Sequence, residues 1–289
     1  MAKLPTMRGP CRQIVISTIN TIMGVAQSHR QRSEFLVTMD ADFPSSKHSM
    51  AATLYALVRF FKQESHREDF LRGNLYMNRL KYFRQYEEQD KCNIGDRHEG
   101  LSGWLQPTDV KMTIENNKTG ETFQIEGFAG PLRLGYHHHD EYHVYCMSAL
   151  YCNDDSAKSL ETIRSEAMLD VDKGDLGDYC SVIFGLDHFF SRLDSALDGL
   201  TQNRSNYGLV EYYDPITFSG TFKGDEAFLR KANSFGHQRE FRIFAWDGSK
   251  GNDARTLNIG DLSDIVFNCH KSELNKLVSL QISMPILEP

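Results

Sequence analysis

The sequence predicts an α+β protein built on a mainly antiparallel sheet, and three observations carry that expectation. Short apolar, β-branched stretches mix with amphipathic ones, without the regular strand–helix rhythm of a doubly wound parallel sheet. Residues 110–128 (VKMTIENNKTGETFQIEGF) hold two alternating runs around Asn117-Lys118-Thr119-Gly120, the pattern of a hairpin. No G-x-G-x-x-G or G-K-[ST] loop occurs, so Rossmann and P-loop architectures lack their working parts.

Taken in order, residues 1–48 read as a partly flexible N-terminal extension. Pro5 and Pro10 come first, a short helix follows around 14–27, and then polar tracts (SHRQRSE, DADFPSSKHS). Residues 49–289 read as one domain. ATLYALVRFF (52–61) is a buried strand. QESHREDFLRG (63–73) is a helix with Ser65 as N-cap, Glu68 at capping-box spacing and Gly73 as its stop. A second strand at 75–77 leads to a turn or short helix carrying Leu80, Tyr82 and Phe83, and 85–100 is a polar loop. Strands are expected at 141–151, 180–185, 207–214, 238–246, 256–260 and 264–269. Helices are expected at 159–169, 186–200, 225–235 and 272–282.

Composition narrows the function. The 289 residues are 40% hydrophobic and 25% charged, an ordinary globular profile, with a net charge of -7. That acidity disfavours a broad phosphate-binding face, because non-specific nucleic-acid affinity comes mainly from Lys and Arg. The six cysteines are scattered without a C-x-x-C pair, as expected of reduced thiols in a cytoplasmic protein. Ser17, Thr18, Asn20 and Thr21 make the stretch 14–26 a poor signal-peptide core, and no run is long enough for a membrane span.

The most informative segment is Gly236-His237-Gln238-Arg239-Glu240-Phe241-Arg242-Ile243. Strand alternation puts Gln238, Glu240 and Arg242 on one face. The bland reading is a solvated sheet face; the sharper one is a cleft floor offering an amide and a carboxylate. Two other strands carry single polar residues in apolar settings, Arg59 and Ser148. Taken alone, Arg59 reads as a surface or salt-bridging residue and Ser148 as a turn former. Other candidates are weaker. His137-His138-His139-Asp140 with His143 lacks a second ligand cluster, so a polar loop is expected there and no metal. Asp96 and Glu99 form an acidic pair in a loop, without the Lys-bearing strand of a nuclease. Cys146 and Cys180 sit in apolar strands and read as inert buried thiols, and the trio Asn268-Cys269-His270 is late and isolated, so a Cys–His hydrolase is not expected.

In chain order these residues give Arg59, then Ser148 at a strand end, then Gln238-x-Glu240. That order resembles the Arg–Ser–Glu signature of ADP-ribosyltransferases, whose third element is often Gln-x-Glu. The layout is also similar to an uncharacterised prokaryotic and phage family associated with that superfamily. The likeness runs through the strand–helix–strand opening at 56–84, the loop Gly95-Asp96-Arg97-His98-Glu99, Cys146-Met147-Ser148 and Gln238 to Ile243, over about 54–277. It implies a split antiparallel sheet with flanking helices and NAD as co-substrate. It also implies Glu240 as catalytic carboxylate with Gln238 orienting the nucleophile, Arg59 on the NAD phosphates, Ser148 on the nicotinamide ribose, and Tyr82, Phe83, Tyr145 and Tyr151 as aromatic candidates. The acceptor would be a protein or nucleic acid, the role that of a toxin or antiviral-defence effector, and a partner such as an antitoxin or second subunit is compatible. The alternative is a non-catalytic nucleotide- or partner-binding module with the same fold. Ala149-Leu150 after Ser148, where a Ser-Thr-Ser run is usual, and the extension at 1–48 suit it.

Overall fold

A computed structural model describes residues 14–16, 35–41, 52–87, 96–153, 158–173, 176–201 and 204–281. The chain divides into two compact units, each drawn from three separate segments of the sequence. The smaller comprises the described residues of Met1–Ser46, Gly103–Leu134 and Pro215–Thr221. Its four-stranded antiparallel sheet runs in the order Ile14–Ile16, Phe35–Ala41, Val110–Asn116 and Thr122–Ile125. Part of the expected extension therefore pairs with the hairpin in regular sheet. The helix expected at 14–27 is a strand at Ile14–Ile16, where three β-branched residues favour extended backbone, and the rest of it lies outside the described residues. The hairpin closes as expected. Gly120 N donates to Asn116 O at 2.8 Å with Gly120 at φ 70°, and Lys118 N donates to Asn116 Oδ1 at 2.9 Å. Trp104 Nε1 and Gln106 Nε2 both donate to Pro215 O, which ties the third segment of this unit to the second.

The larger unit, Lys47–Ser102, Gly135–Asp214 and Phe222–Pro289, holds an eight-stranded sheet. Its strands are β1 (Ala52–Phe61), β2 (Asn74–Arg79), β3 (His143–Asn153), β4 (Tyr179–Ile183), β5 (Ser205–Leu209), β6 (Glu240–Ala245), β7 (Arg255–Asn258) and β8 (Val266–His270). The main path is β5-β6-β3-β1-β4-β8, with every pair antiparallel. β2 pairs β7 and also joins β3. One edge of β3 is thereby shared by two strands. β1 pairs it at Ala52 to Val58 opposite Asn153 to Ser148, and β2 pairs it at Asn78 and Arg79 opposite Val144 and His143. The sheet forks between Ser148 and Val144.

Helices α1 (Glu64–Leu71), α2 (Leu80–Glu87), α3 (Leu160–Ala167), α4 (Leu186–Thr201) and α5 (Lys271–Gln281) flank this sheet. One apolar cluster gathers Leu57, Phe61, Phe70, Tyr145, Met147, Phe189, Leu193, Phe241 and Ile243; a second gathers Ala56, Val58, Leu150, Cys180, Val182, Leu274 and Val278. Alternate residues of β1, β3, β4 and β6 feed clusters on opposite faces, as a period of two requires. Among the described residues no helix is long and apolar enough to cross a membrane.

Three local expectations need correction. The N-cap of α1 is Gln63, with no side-chain cap bond, so Ser65 lies inside the helix; Gly73 does close it, its N–H on Phe70 O at 2.8 Å. The strand expected at 207–214 is two strands, Ser205–Leu209 and Glu211–Tyr213, divided at Val210, whose N–H still donates to Glu240 O at 2.8 Å. The helix expected at 225–235 is instead a 3-10 turn (Gly224–Phe228), a strand (Arg230–Ala232) parallel to Glu211–Tyr213, and a second 3-10 turn (Asn233–Gln238). There tertiary pairing overrides local helix propensity.

Candidate active site

The fork in the sheet opens into a cavity of about 960 Å³ within the larger unit. Its lining includes Arg59, Ser148, Gln238, Glu240, Tyr82, Phe83 and Tyr145, together with Cys146, Glu99 and Lys231. Seven of the eight residues singled out from the sequence as catalytic, cofactor-binding or aromatic candidates therefore meet at one hollow. The eighth, Tyr151, is not among the lining residues. Its ring carries the Arg239 guanidinium at 4.0 Å, and its carbonyl accepts from Arg239 Nη2.

Register explains the meeting. Glu240 lies opposite Ser148 and Arg242 opposite Cys146, so these four share a face of the sheet. Arg59, one residue beyond Val58, belongs by alternation to the other face, with Tyr145 and Met147. β1 has left β3 by Arg59, and its guanidinium occupies the fork. Nη1 donates to Cys146 O at 2.6 Å, and the group lies 4.8 Å from the Tyr145 ring centroid. Burial pushes the Tyr145 hydroxyl up to about 12, with the nearby Arg59 charge opposing. The cavity reaches residues of both faces because the sheet is split there.

Gln238 and Glu240 share a side by a different route from the expected alternation. The strand begins only at Glu240; Gln238 ends a 3-10 turn, and Arg239 between them is left-handed at φ 43°, ψ 51°. This conformation is costly for a residue with a side chain, by roughly 1–2 kcal/mol. It is held by Ala149 N donating to Arg239 O at 2.7 Å and by the Arg239 side chain on Tyr151.

Glu240 lies in a buried ionic cluster of two carboxylates and two cations. Arg242 Nε donates to Glu240 Oε1 at 2.7 Å, and Lys231 Nζ donates to Glu240 Oε2 at 3.1 Å. Arg242 also grips Glu99 with Nη1 on Oε2 at 2.5 Å and Nη2 on Oε1 at 3.1 Å, and donates to Phe228 O at 2.8 Å. Lys231 Nζ reaches Gln238 Oε1 at 2.8 Å and Glu99 Oε1 at 3.2 Å. Burial alone would raise the Glu240 carboxyl. The Arg242 and Lys231 charges, with hydrogen bonds from Cys146 and Arg242, outweigh it and hold the group down at about 2. Burial would likewise lower the Lys231 ammonium, but the Glu240 and Glu99 carboxylates win and raise it. The cluster thus sets two carboxylate side chains, Glu240 and Glu99, against two cationic ones, Arg242 and Lys231. Burial and the Glu240 carboxylate push the Cys146 thiol up, which makes it a protonated donor and a poor nucleophile. Tyr212 completes the shell, its hydroxyl oxygen accepting from Glu240 N at 2.8 Å.

The remaining candidates lie elsewhere or act structurally. Asp96 caps its own turn, Oδ1 accepting from His98 N at 2.8 Å, and that turn delivers Glu99 to the ionic cluster and not to a nuclease pair. The His run is a 3-10 turn, His137–Glu141. His139 is buried with Nδ1 3.0 Å from Gly100 O, and His143 Nε2 lies 3.2 Å from Asp253 O. Among the described residues no cluster of three or more His, Cys, Asp or Glu is arranged to hold a metal. Cys180 and Cys269 face each other across β4 and β8 as free thiols. The residue missed from the sequence is Lys231. A lone lysine in a helix-like stretch carries no local signal, because its partners come from three other segments.

No family model, curated protein or solved structure matches the chain.

Proposed function

We propose that the chain is an NAD-dependent ADP-ribosyltransferase acting on a macromolecule, with Glu240 as its catalytic carboxylate and an ADP-ribosyltransferase-like split sheet as its frame. The observation that supports this most is the convergence of Arg59, Ser148, Gln238 and Glu240, from distant stretches of chain, on one cavity at the fork. The lining suits the ligand's parts. Arg59 offers forked donors to phosphate, Ser148 a hydroxyl to a ribose, and Tyr82, Phe83 and Tyr145 flat apolar faces to a planar ring.

In this reading the bond between nicotinamide and C1′ of its ribose breaks, and nicotinamide leaves with the bonding pair. Positive charge grows at the ribose carbon, as in glycoside hydrolysis. Glu240, ionised and 4% exposed, stabilises that charge and accepts from the 2′-hydroxyl. Gln238 orients the acceptor nucleophile, which bonds to C1′ and passes its proton to solvent water. The cellular role, a cytoplasmic toxin or antiviral-defence effector, is carried over from the resemblance alone.

The second reading, a non-catalytic nucleotide- or partner-binding module, is favoured by one observation. Both oxygens of Glu240 are already engaged by Arg242 and Lys231. Incubation with NAD labelled in the adenosine and with cell lysate separates the two. The transferase reading expects label in protein or nucleic acid with wild type, reduced about 10²–10³-fold in Glu240→Gln. Retention of NAD without turnover in either form would favour the module, and nicotinamide release without label transfer would identify a glycohydrolase.

A further inference from the structure

Glu240 is gripped by two cations of different character. Arg242 is a planar fork whose nitrogens are committed to Glu240, to both oxygens of Glu99 and to Phe228 O, and it is absent from the cavity wall. Lys231 is a point charge on a flexible stem, 3% exposed, and it lines the cavity beside Glu240. Its three donors face three acceptors, Gln238 Oε1, Glu240 Oε2 and Glu99 Oε1. Lys231 is thus the partner of Glu240 Oε2 that itself lines the cavity. Were Lys231 to release that oxygen, it would keep Gln238 and a full counter-charge in Glu99. Arg242 would keep Glu99 and Phe228 O in the same way, but it does not line the cavity and so is not placed to hand Glu240 to a ligand there.

The geometry points to Lys231 as the positioning residue of this site: it holds Gln238 and Glu240 side by side and yields Glu240 Oε2 to the substrate hydroxyl. The assignment rests on the reading that Glu240 is the acting carboxylate. The groups facing Glu240 are Arg242 on its own strand, Cys146 and Ser148 on β3, Lys231 and Gln238 beside it, Tyr212 at its backbone, and Glu99 beyond the two cations.

Two readouts on Lys231→Met and Lys231→Arg test it. The first needs no NAD: infrared titration of the protonated-carboxyl band, assigned to Glu240 by difference from Glu240→Gln. Wild type should stay ionised down to about pH 2. Lys231→Met should raise the midpoint by about 1–3 units, and Lys231→Arg should restore it. The second is the pH profile of NAD turnover, in which Lys231→Met should gain an acidic limb at that raised midpoint and lose kcat more than KM. If Lys231→Met fails to fold, the double variant Glu99→Gln/Lys231→Met, which keeps the cluster neutral, replaces it. A folded variant with an unmoved midpoint overturns the positioning role, as does an unmoved kcat. If wild type consumes no NAD, the transferase reading fails, while the carboxyl titration still decides whether Lys231 sets the state of Glu240.

Discussion

Strand β6 is buried on both faces, yet the two faces are made of opposite materials. Phe241 and Ile243, 3% and 0% exposed, join the apolar cluster with Tyr145, Met147 and Phe189. Glu240 and Arg242, 4% and 1% exposed, join an ionic cluster with Glu99 and Lys231. The apolar face stabilises by removing surface from water, group by group. The ionic face works otherwise. Each buried ion costs several kcal/mol of desolvation, and only the complete set of partners offsets it. Equal burial therefore hides unequal roles: one face holds the sheet together, and the other is tolerated because every charge in it is matched.

Substitutions on each face sharpen this contrast. Phe241→Ala should cost about 3–5 kcal/mol by urea unfolding, through the cavity it leaves. It should leave the Glu240 titration unmoved. Arg242→Met should cost about as much, roughly 3–5 kcal/mol, because two buried carboxylates then share one cation. Adding Glu99→Gln should recover part of that loss by restoring neutrality, whereas no second substitution of this kind rescues Phe241→Ala. Lack of recovery would break the comparison.

Acid offers a gentler probe of the ionic face. The Glu240 carboxyl is depressed to about 2 from an ordinary 4.5. Its contribution to stability is thus fully present above pH 4.5 and lost as pH falls through about 2. Wild type should lose stability across that window faster than Glu240→Gln, by the equivalent of about one proton. Parallel curves would contradict the ionic pairing. The smallest effect concerns the junction between the Gln238 turn and the strand. Arg239→Gly should be milder than Arg239→Ala by about 1 kcal/mol, because glycine accepts φ 43° and alanine does not. Both lose the contact with Tyr151.

Much of the sheet was legible because buried strands announce themselves locally. The runs at Ala52–Phe61 and His143–Asn153 and the hairpin at Asn117 to Gly120 carry β-branched, aromatic and turn residues that need no partner to interpret. Glu240 and Gln238 were legible as a pair on one side, although a 3-10 turn and a left-handed Arg239 achieve it in place of simple alternation. Lys231 was not legible, since DEAFLRKANSF satisfies a helical pattern until Glu99, Gln238 and Glu240 draw its ammonium inward. Tyr151 had the right type and chain position, but its ring is spent on Arg239. The hairpin's unit was hidden for the same reason as Lys231: the pairing of Phe35–Ala41 with Val110–Asn116 joins segments with no local mark of each other.

The most direct test of the proposed NAD site is equilibrium dialysis of labelled NAD against the chain, with Glu240→Gln as the background to suppress turnover. Saturable retention of one NAD per chain is predicted, weakened about 10- to 100-fold by adding Arg59→Ala, which removes a charged donor at the fork. No retention, or retention indifferent to Arg59, would contradict the account.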